Sequence, residues 1–195
     1  MAGRMSNKQM QKRVASMREA LFKQGYLDEQ FSMLEELEDT DNPNFCEEVV
    51  TMFFRDYVRH INNIDRALAK NPINFEKLED LMHHFKGSCC SIGAAKAKNE
   101  ITLFRNHCIN EDAEGVRGTF EQLKKELATL KTKLEAYFQA ARQAGPSQTA
   151  DRPKMWSRHV GPLLFQVRYE EIMSDSAYLD RVLLDGATKA ADIAE

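Results

Sequence analysis

The sequence predicts an all-α protein: a four-helix up-down bundle with additional N-terminal helices, about six helices in all, and a divergent C-terminal tail. Three observations carry this prediction. Apolar residues recur three and four positions apart through six consecutive segments, the period of one helix face. No stretch alternates apolar and polar as a half-buried strand does, and no fixed-period repeat appears. The links between segments are short and rich in Gly, Asn, Asp and Pro, which makes neighbouring helices antiparallel.

The first helix runs from Asn7 to Gln24 on Met10, Val14, Met17 and Leu21, and Gly25 stops it. Asp28 caps a short second helix with Phe31, Leu34 and Leu37 on one side. The acidic run from Glu35 through Pro43 breaks it and reads as a solvated loop. Asn44 opens a long third helix to about Lys70, with Phe45, Val49, Met52, Phe53, Tyr57, Ile61, Ile64 and Leu68 as its apolar stripe. Asn71-Pro72 ends it, because the residue before a proline is pushed out of helical geometry. Asn74 caps a fourth helix carrying Phe75, Leu78, Met82, Phe85, Cys89 and Ile92, interrupted by Gly93. A fifth covers about Ala95 to Asn110 with Ala97, Ile101, Phe104 and Cys108 inward. The sixth starts near Asp112 and runs to about Gln143 on Val116, Phe120, Leu123, Leu127, Leu130, Leu134 and Phe138, its first turns weakened by Gly115 and Gly118. The last four helices make the bundle and the first two cover one end or side of it.

Residues 1–144 form one domain. Residues 145–195 begin with the linker composition of Gly145 to Pro153 and continue as an extension, flexible or partly helical, with too few apolar side chains for a core of its own. The composition is 43% hydrophobic and 29% charged, that of a globular chain. A formal net charge of -3 gives no global basic excess for nucleic acid. No apolar run reaches the roughly 18 residues of a membrane span, and the N-terminus carries no secretory signal. The four cysteines match no disulfide framework, which points to a reducing compartment.

The chemistry concentrates on one face of the fourth helix. Glu79, Asp80, His83, Lys86, Gly87 and Cys90 share that face at helical spacing. A mid-helix glycine costs on the order of 1 kcal/mol against alanine, so Gly87 has a reason: it clears the approach to His83. His83 is turned about 100° from the inward Met82, onto the flank of the bundle. An imidazole with a pKa of about 6.5 offers a nucleophilic ring nitrogen at pH 7. Lys86, one turn on, sits where it balances the charge of a phosphoryl group on that nitrogen.

The stretch Met82-His83-His84-Phe85-Lys86-Gly87-Ser88-Cys89-Cys90-Ser91-Ile92-Gly93-Ala94 resembles the plant histidine-containing phosphotransfer proteins. Their signature is an acceptor histidine, two variable residues, Lys-Gly-Ser and a Ser-Ile-Gly-Ala run. Gln24 to Phe31 and Asn42-Pro43-Asn44-Phe45 look like further family signatures, and the likeness covers roughly residues 7–144. The resemblance implies a phosphorelay carrier. It accepts a phosphoryl group on His83 from the receiver domain of a hybrid sensor histidine kinase and passes it to the aspartate of a response regulator, in cytokinin signalling, in cytoplasm and nucleus. Lys86 and Gly87 take the motif's Lys and Gly positions, and His84 falls on a variable one. Some relatives lack the acceptor and act as pseudo-phosphotransfer inhibitors; here His83 stands at that position. The resemblance further implies a phosphohistidine intermediate rather than a classical enzyme. It implies no cofactor or metal on this chain and Mg²⁺ on the partner receiver; charge and hydropathy predict no nucleic-acid or membrane partner, and an isolated bundle with one exposed site predicts a monomer. Cys89 and Cys90 replace residues that are commonly Ser, and the extension past about Met155 departs from the family pattern.

Two other functions compete. A non-catalytic helical adaptor or inhibitor would bind receivers without carrying phosphate. A metal site would draw on His83, His84, Cys89, Cys90, His107 and Cys108, but adjacent residues on a helix point about 100° apart and chelate one ion poorly. The basic clusters at Lys96, Lys98 and Arg105, and at Lys124, Lys125, Lys131 and Lys133, are interleaved with acids as on a solvated face.

Overall fold

The computed structural model describes residues 7–39 and 41–145. It contains six helices: α1 (Asn7–Lys23), α2 (Glu29–Glu36), α3 (Phe45–Leu68), α4 (Phe75–Ser91), α5 (Ala95–Ile109) and α6 (Ala113–Ala144). Among the described residues there is no strand, only an isolated antiparallel bridge between Leu27 and Ala94. The tail expected beyond Gly145 lies outside the described residues.

Helices α3 to α6 form the bundle, each packed on the next, with α6 returning to α3. Helix α1 lies along α6, and α2 wedges against α3 and α4. One continuous core runs through the bundle, with Phe31, Phe85, Phe104 and Phe120 among its fully buried side chains. Each such ring stabilises the fold by about 1.5–3 kcal/mol relative to exposure.

The helix starts follow the expected caps. Asp28 accepts from the Gln30 N–H at 3.0 Å, Asn74 from Lys77 at 2.8 Å, and Asp112 from Gly115 at 2.9 Å. Asn44 is the exception: its side chain makes no cap bond, and Glu38 instead accepts from the Cys46 N–H at 3.2 Å.

Helix α3 ends at Leu68, just ahead of Asn71-Pro72 as expected, and Arg117 of α6 donates to the Leu68 carbonyl at 2.8 Å. Three local expectations are corrected. Met52 is not inward but 48% exposed, whereas Cys46, Val50, Phe54 and Ala67 are buried. The acidic run is not a plain solvated loop. Glu35 still belongs to α2, and it accepts from the Tyr137 hydroxyl at 2.6 Å and from Arg18 Nε at 2.7 Å. Arg18 also donates to Ser32 Oγ at 2.7 Å, so one carboxylate ties α1, α2 and α6 together. Burial and then the Glu35 charge hold the Tyr137 phenol well above its ordinary pKa. Finally, Gly115 is not merely a weak point in α6. A Cβ there would run into the His107 ring and the Asp112 carboxylate, while at Gly118 it would meet open space.

Candidate functional site

Helix α4 is fixed in rotation by what it buries. Leu78, Met82, Phe85 and Cys89 are fully buried on one stripe, as their three- and four-residue spacing requires. Phe85 anchors that stripe. Its ring stacks on Phe53 at 6.3 Å between centroids and on His60 at 5.1 Å, with Tyr57 at 6.1 Å. All three partners come from α3.

The C-terminal end of α4 is closed from outside the bundle. Gly93 takes φ +65°, a left-handed conformation that ends the helix and that L side chains resist. The loop between α1 and α2 then fastens onto it. The Asp28 N–H donates to the Gly93 carbonyl at 3.0 Å and the Ala95 N–H to the Tyr26 carbonyl at 3.0 Å. A Cβ at Gly93 would lie 2.6 Å from the Phe31 nitrogen, so no larger residue fits this junction as it stands.

On a helix held this way His83 emerges at the flank, half-buried, with its Nδ1 out of solvent. His84 is exposed and meets His83 edge-on, 6.2 Å between ring centroids. Lys86, Gly87 and Ser88 follow, all half-buried, and the Ser88 carbonyl accepts from Ser91 Oγ at 2.7 Å. The three residues expected to form the site therefore lie on one short stretch of one rigid helix. On the turn before His83, Glu79 accepts from Arg105 of α5, through Nη2 at 2.8 Å and Nε at 3.3 Å. On the α3 side, the His60 pKa is lowered by burial and by the Arg59 charge, against the opposing pull of Asp56, with a smaller lowering from His84.

The sequence reading missed two of these neighbours. Glu79 was visible on the His83 face, but its partner Arg105 is 26 residues away. His60 carried no signal of its own, since its role as a plate against Phe85 depends on the α3–α4 packing.

Three of the four cysteines are core residues, and Cys90 is half-buried. Cys46, Cys89 and Cys108 are buried. Burial holds the Cys89 thiol well above its usual pKa and pushes Cys108 up to about 12, which keeps both protonated and unreactive. His107 faces the Asp112 carboxylate, Nδ1 to Oδ2, at 2.8 Å. Among the described residues no three His, Cys, Asp or Glu side chains are placed to hold a metal ion. The lysine-rich faces pair with acids: Lys96 with Glu126, Lys98 with Asp28, Lys124 with Glu121 and Asp65. No helix among the described residues is long and apolar enough to cross a membrane.

An all-helical bundle that carries His83 on the flank of a core-locked helix, with lysine and glycine beside it, has the build of a phosphoryl carrier. Comparison with known proteins agrees. The family model for the Hpt domain matches residues 48–150. The chain is 58% identical over 118 residues to histidine-containing phosphotransfer protein 4 of Arabidopsis thaliana, covering 60% of this chain and 93% of that protein. It is 50% identical over 144 residues to pseudo histidine-containing phosphotransfer protein 5 of Oryza sativa subsp. japonica, covering 74% and 95%. Among solved structures it is similar to a histidine-containing phosphotransfer protein from Medicago truncatula, with 40% identity, a TM-score of 0.66, and coverage of 71% of this chain and 96% of that one. The chain belongs to the Hpt family of histidine-containing phosphotransfer proteins, which serve as carriers in phosphorelays.

Proposed function

We propose that His83 accepts a phosphoryl group from the aspartyl phosphate of a sensor-kinase receiver domain and returns it to the aspartate of a response regulator. The setting is cytokinin signalling, in cytoplasm and nucleus. The observation that carries this reading is the presentation of His83: half-buried, on a helix whose opposite face is locked in the core, with Nδ1 turned away from solvent. That leaves Nε2 as the nitrogen that meets a partner.

In the transfer, Nε2 attacks phosphorus in line. The N–P bond forms as the acyl P–O bond breaks, and the electron pair leaves with the aspartate carboxylate. The reverse step loads the second receiver. A Mg²⁺ ion on the receiver supplies charge neutralisation there; this chain contributes position and local charge. Lys86 lies one turn beyond His83, and a helical side chain leans back over the preceding turn, so its ammonium is directed toward the phosphoryl oxygens. Gly87 keeps that side of the helix low enough for a receiver to approach. The carrier acts as a monomer.

A second reading has one observation in its favour. Several of the similar proteins from rice carry the word pseudo in their names, among them two that are 50% and 46% identical to this chain. Under that reading the protein binds receivers without taking phosphate. Incubation with a phosphorylated receiver domain separates the two. The carrier gives acid-labile, base-stable label that is lost in His83→Gln and kept in His84→Gln. Binding without label on the wild type would make it an adaptor.

A further inference from the structure

We infer that Glu79 acts as an electrostatic brake on phosphoryl occupancy at His83, and that Arg105 sets how strongly the brake is felt. This rests on His83 being the acceptor, as proposed above.

Side chains on a helix lean toward its N-terminus, so the His83 ring covers the turn that holds Glu79. Residues four apart on a helix are neighbours, about 6 Å between Cβ atoms. A carboxylate there repels a phosphoryl dianion on the ring. At the permittivity of water, a unit charge about 6–10 Å from a dianion shifts an equilibrium by roughly four- to tenfold. Glu79 is held by two N–H groups of Arg105, and both side chains are largely withdrawn from solvent, 20% and 26% exposed. The ion pair is therefore a fixed feature of the site with no net charge. It also joins α5 to the helix that carries the acceptor, so a partner that draws Arg105 away would expose the brake and favour release of the phosphoryl group. Glu79 and Arg105 are positioning residues: they act on the transferred group through charge and take no part in bond making.

The test is the equilibrium distribution of label between a phosphorylated receiver domain and this protein. Local charge falls in order across four proteins: Glu79→Gln, then wild type and the double variant Glu79→Gln/Arg105→Gln together, then Arg105→Gln. Occupancy is expected in that order, with Arg105→Gln roughly four- to tenfold below wild type and the double variant within about twofold of it. The Arg105→Gln deficit is expected to shrink severalfold in 1 M salt, where the screening length is about 3 Å; a packing defect would not respond this way. Arg105→Lys, which keeps the charge, is expected to retain most of the occupancy and serves as the control for folding. A double variant as poor as Arg105→Gln, or a deficit insensitive to salt, would overturn the inference while leaving His83 as acceptor. An unlabelled wild type would remove the acceptor assignment itself.

Discussion

Replacing Gly93 with alanine tests the junction that closes α4. Two costs add. Alanine at φ +65° sits in the left-handed region, at about 1–2 kcal/mol, partly offset because alanine loses less freedom on folding than glycine. The new Cβ would also lie 2.6 Å from the Phe31 backbone nitrogen, 2.7 Å from Asp28 Oδ1 and 3.2 Å from the Phe31 Cβ. Backbone cannot step aside cheaply, and overpacking of this kind costs about 1–3 kcal/mol. The Asp28 carboxylate caps α2, and displacing it adds about 1 kcal/mol. The sum is about 3 kcal/mol, or roughly a 10 °C fall in Tm for a domain of this size. Gly25 supplies the control. It has φ +70° but nothing within 4 Å of a built Cβ, so Gly25→Ala bears the conformational cost alone, about 1 kcal/mol. Thermal melts followed by circular dichroism at 222 nm measure both. Equal falls in Tm for the two variants would refute the steric argument, and a larger fall for Gly25→Ala would reverse it.

The two glycines early in α6 are expected to part in sign. Gly118→Ala stabilises by about 1 kcal/mol, because an exposed helix interior prefers alanine, whereas Gly115→Ala lowers Tm by driving His107 off Asp112. Glu38 is held above its ordinary pKa by burial first and then by Glu35 and Glu47, against the Cys46 N–H that favours the anion. Its folded pKa exceeds the unfolded one, so its contribution is most favourable below about pH 4.5 and falls as pH rises through the folded value. Glu38→Gln, which keeps an acceptor for Cys46, is thus expected to raise Tm at pH 7 and to have no effect near pH 3. For the transfer itself, Lys86→Ala is expected to leave the melt unchanged and slow His83 phosphorylation by about tenfold in rapid-quench labelling; an unaltered rate would remove Lys86 from the mechanism.

What could be read ahead of the structure was local. Asn74, Leu78, Met82, Phe85 and Cys89 declared α4 because a cap and a one-sided stripe are properties of neighbours in sequence. His83 and Lys86 could be placed on its flank for the same reason. The failures were of two kinds. Helix α3 is covered on more than one side, so its buried arc is wide, and choosing a single stripe admitted Met52 while leaving out Val50 and Phe54. Glu35 sits in a run of acids that looks like loop, yet its partner Tyr137 is 102 residues away. Arg105 and Glu79 belong to the same class. Gly115 looked like a helix breaker because only the folded chain brings His107 against it.

The clasp of the α1–α2 loop on the exit of α4 bears on where this protein can be cut. The matched family segment begins at residue 48, after Tyr26, Leu27 and Asp28. A fragment trimmed to that boundary would keep His83 but lose the strap beneath the last turn of its helix. The α1–α2 loop is therefore no ornament on a self-sufficient bundle; it is the buckle on the helix that bears His83.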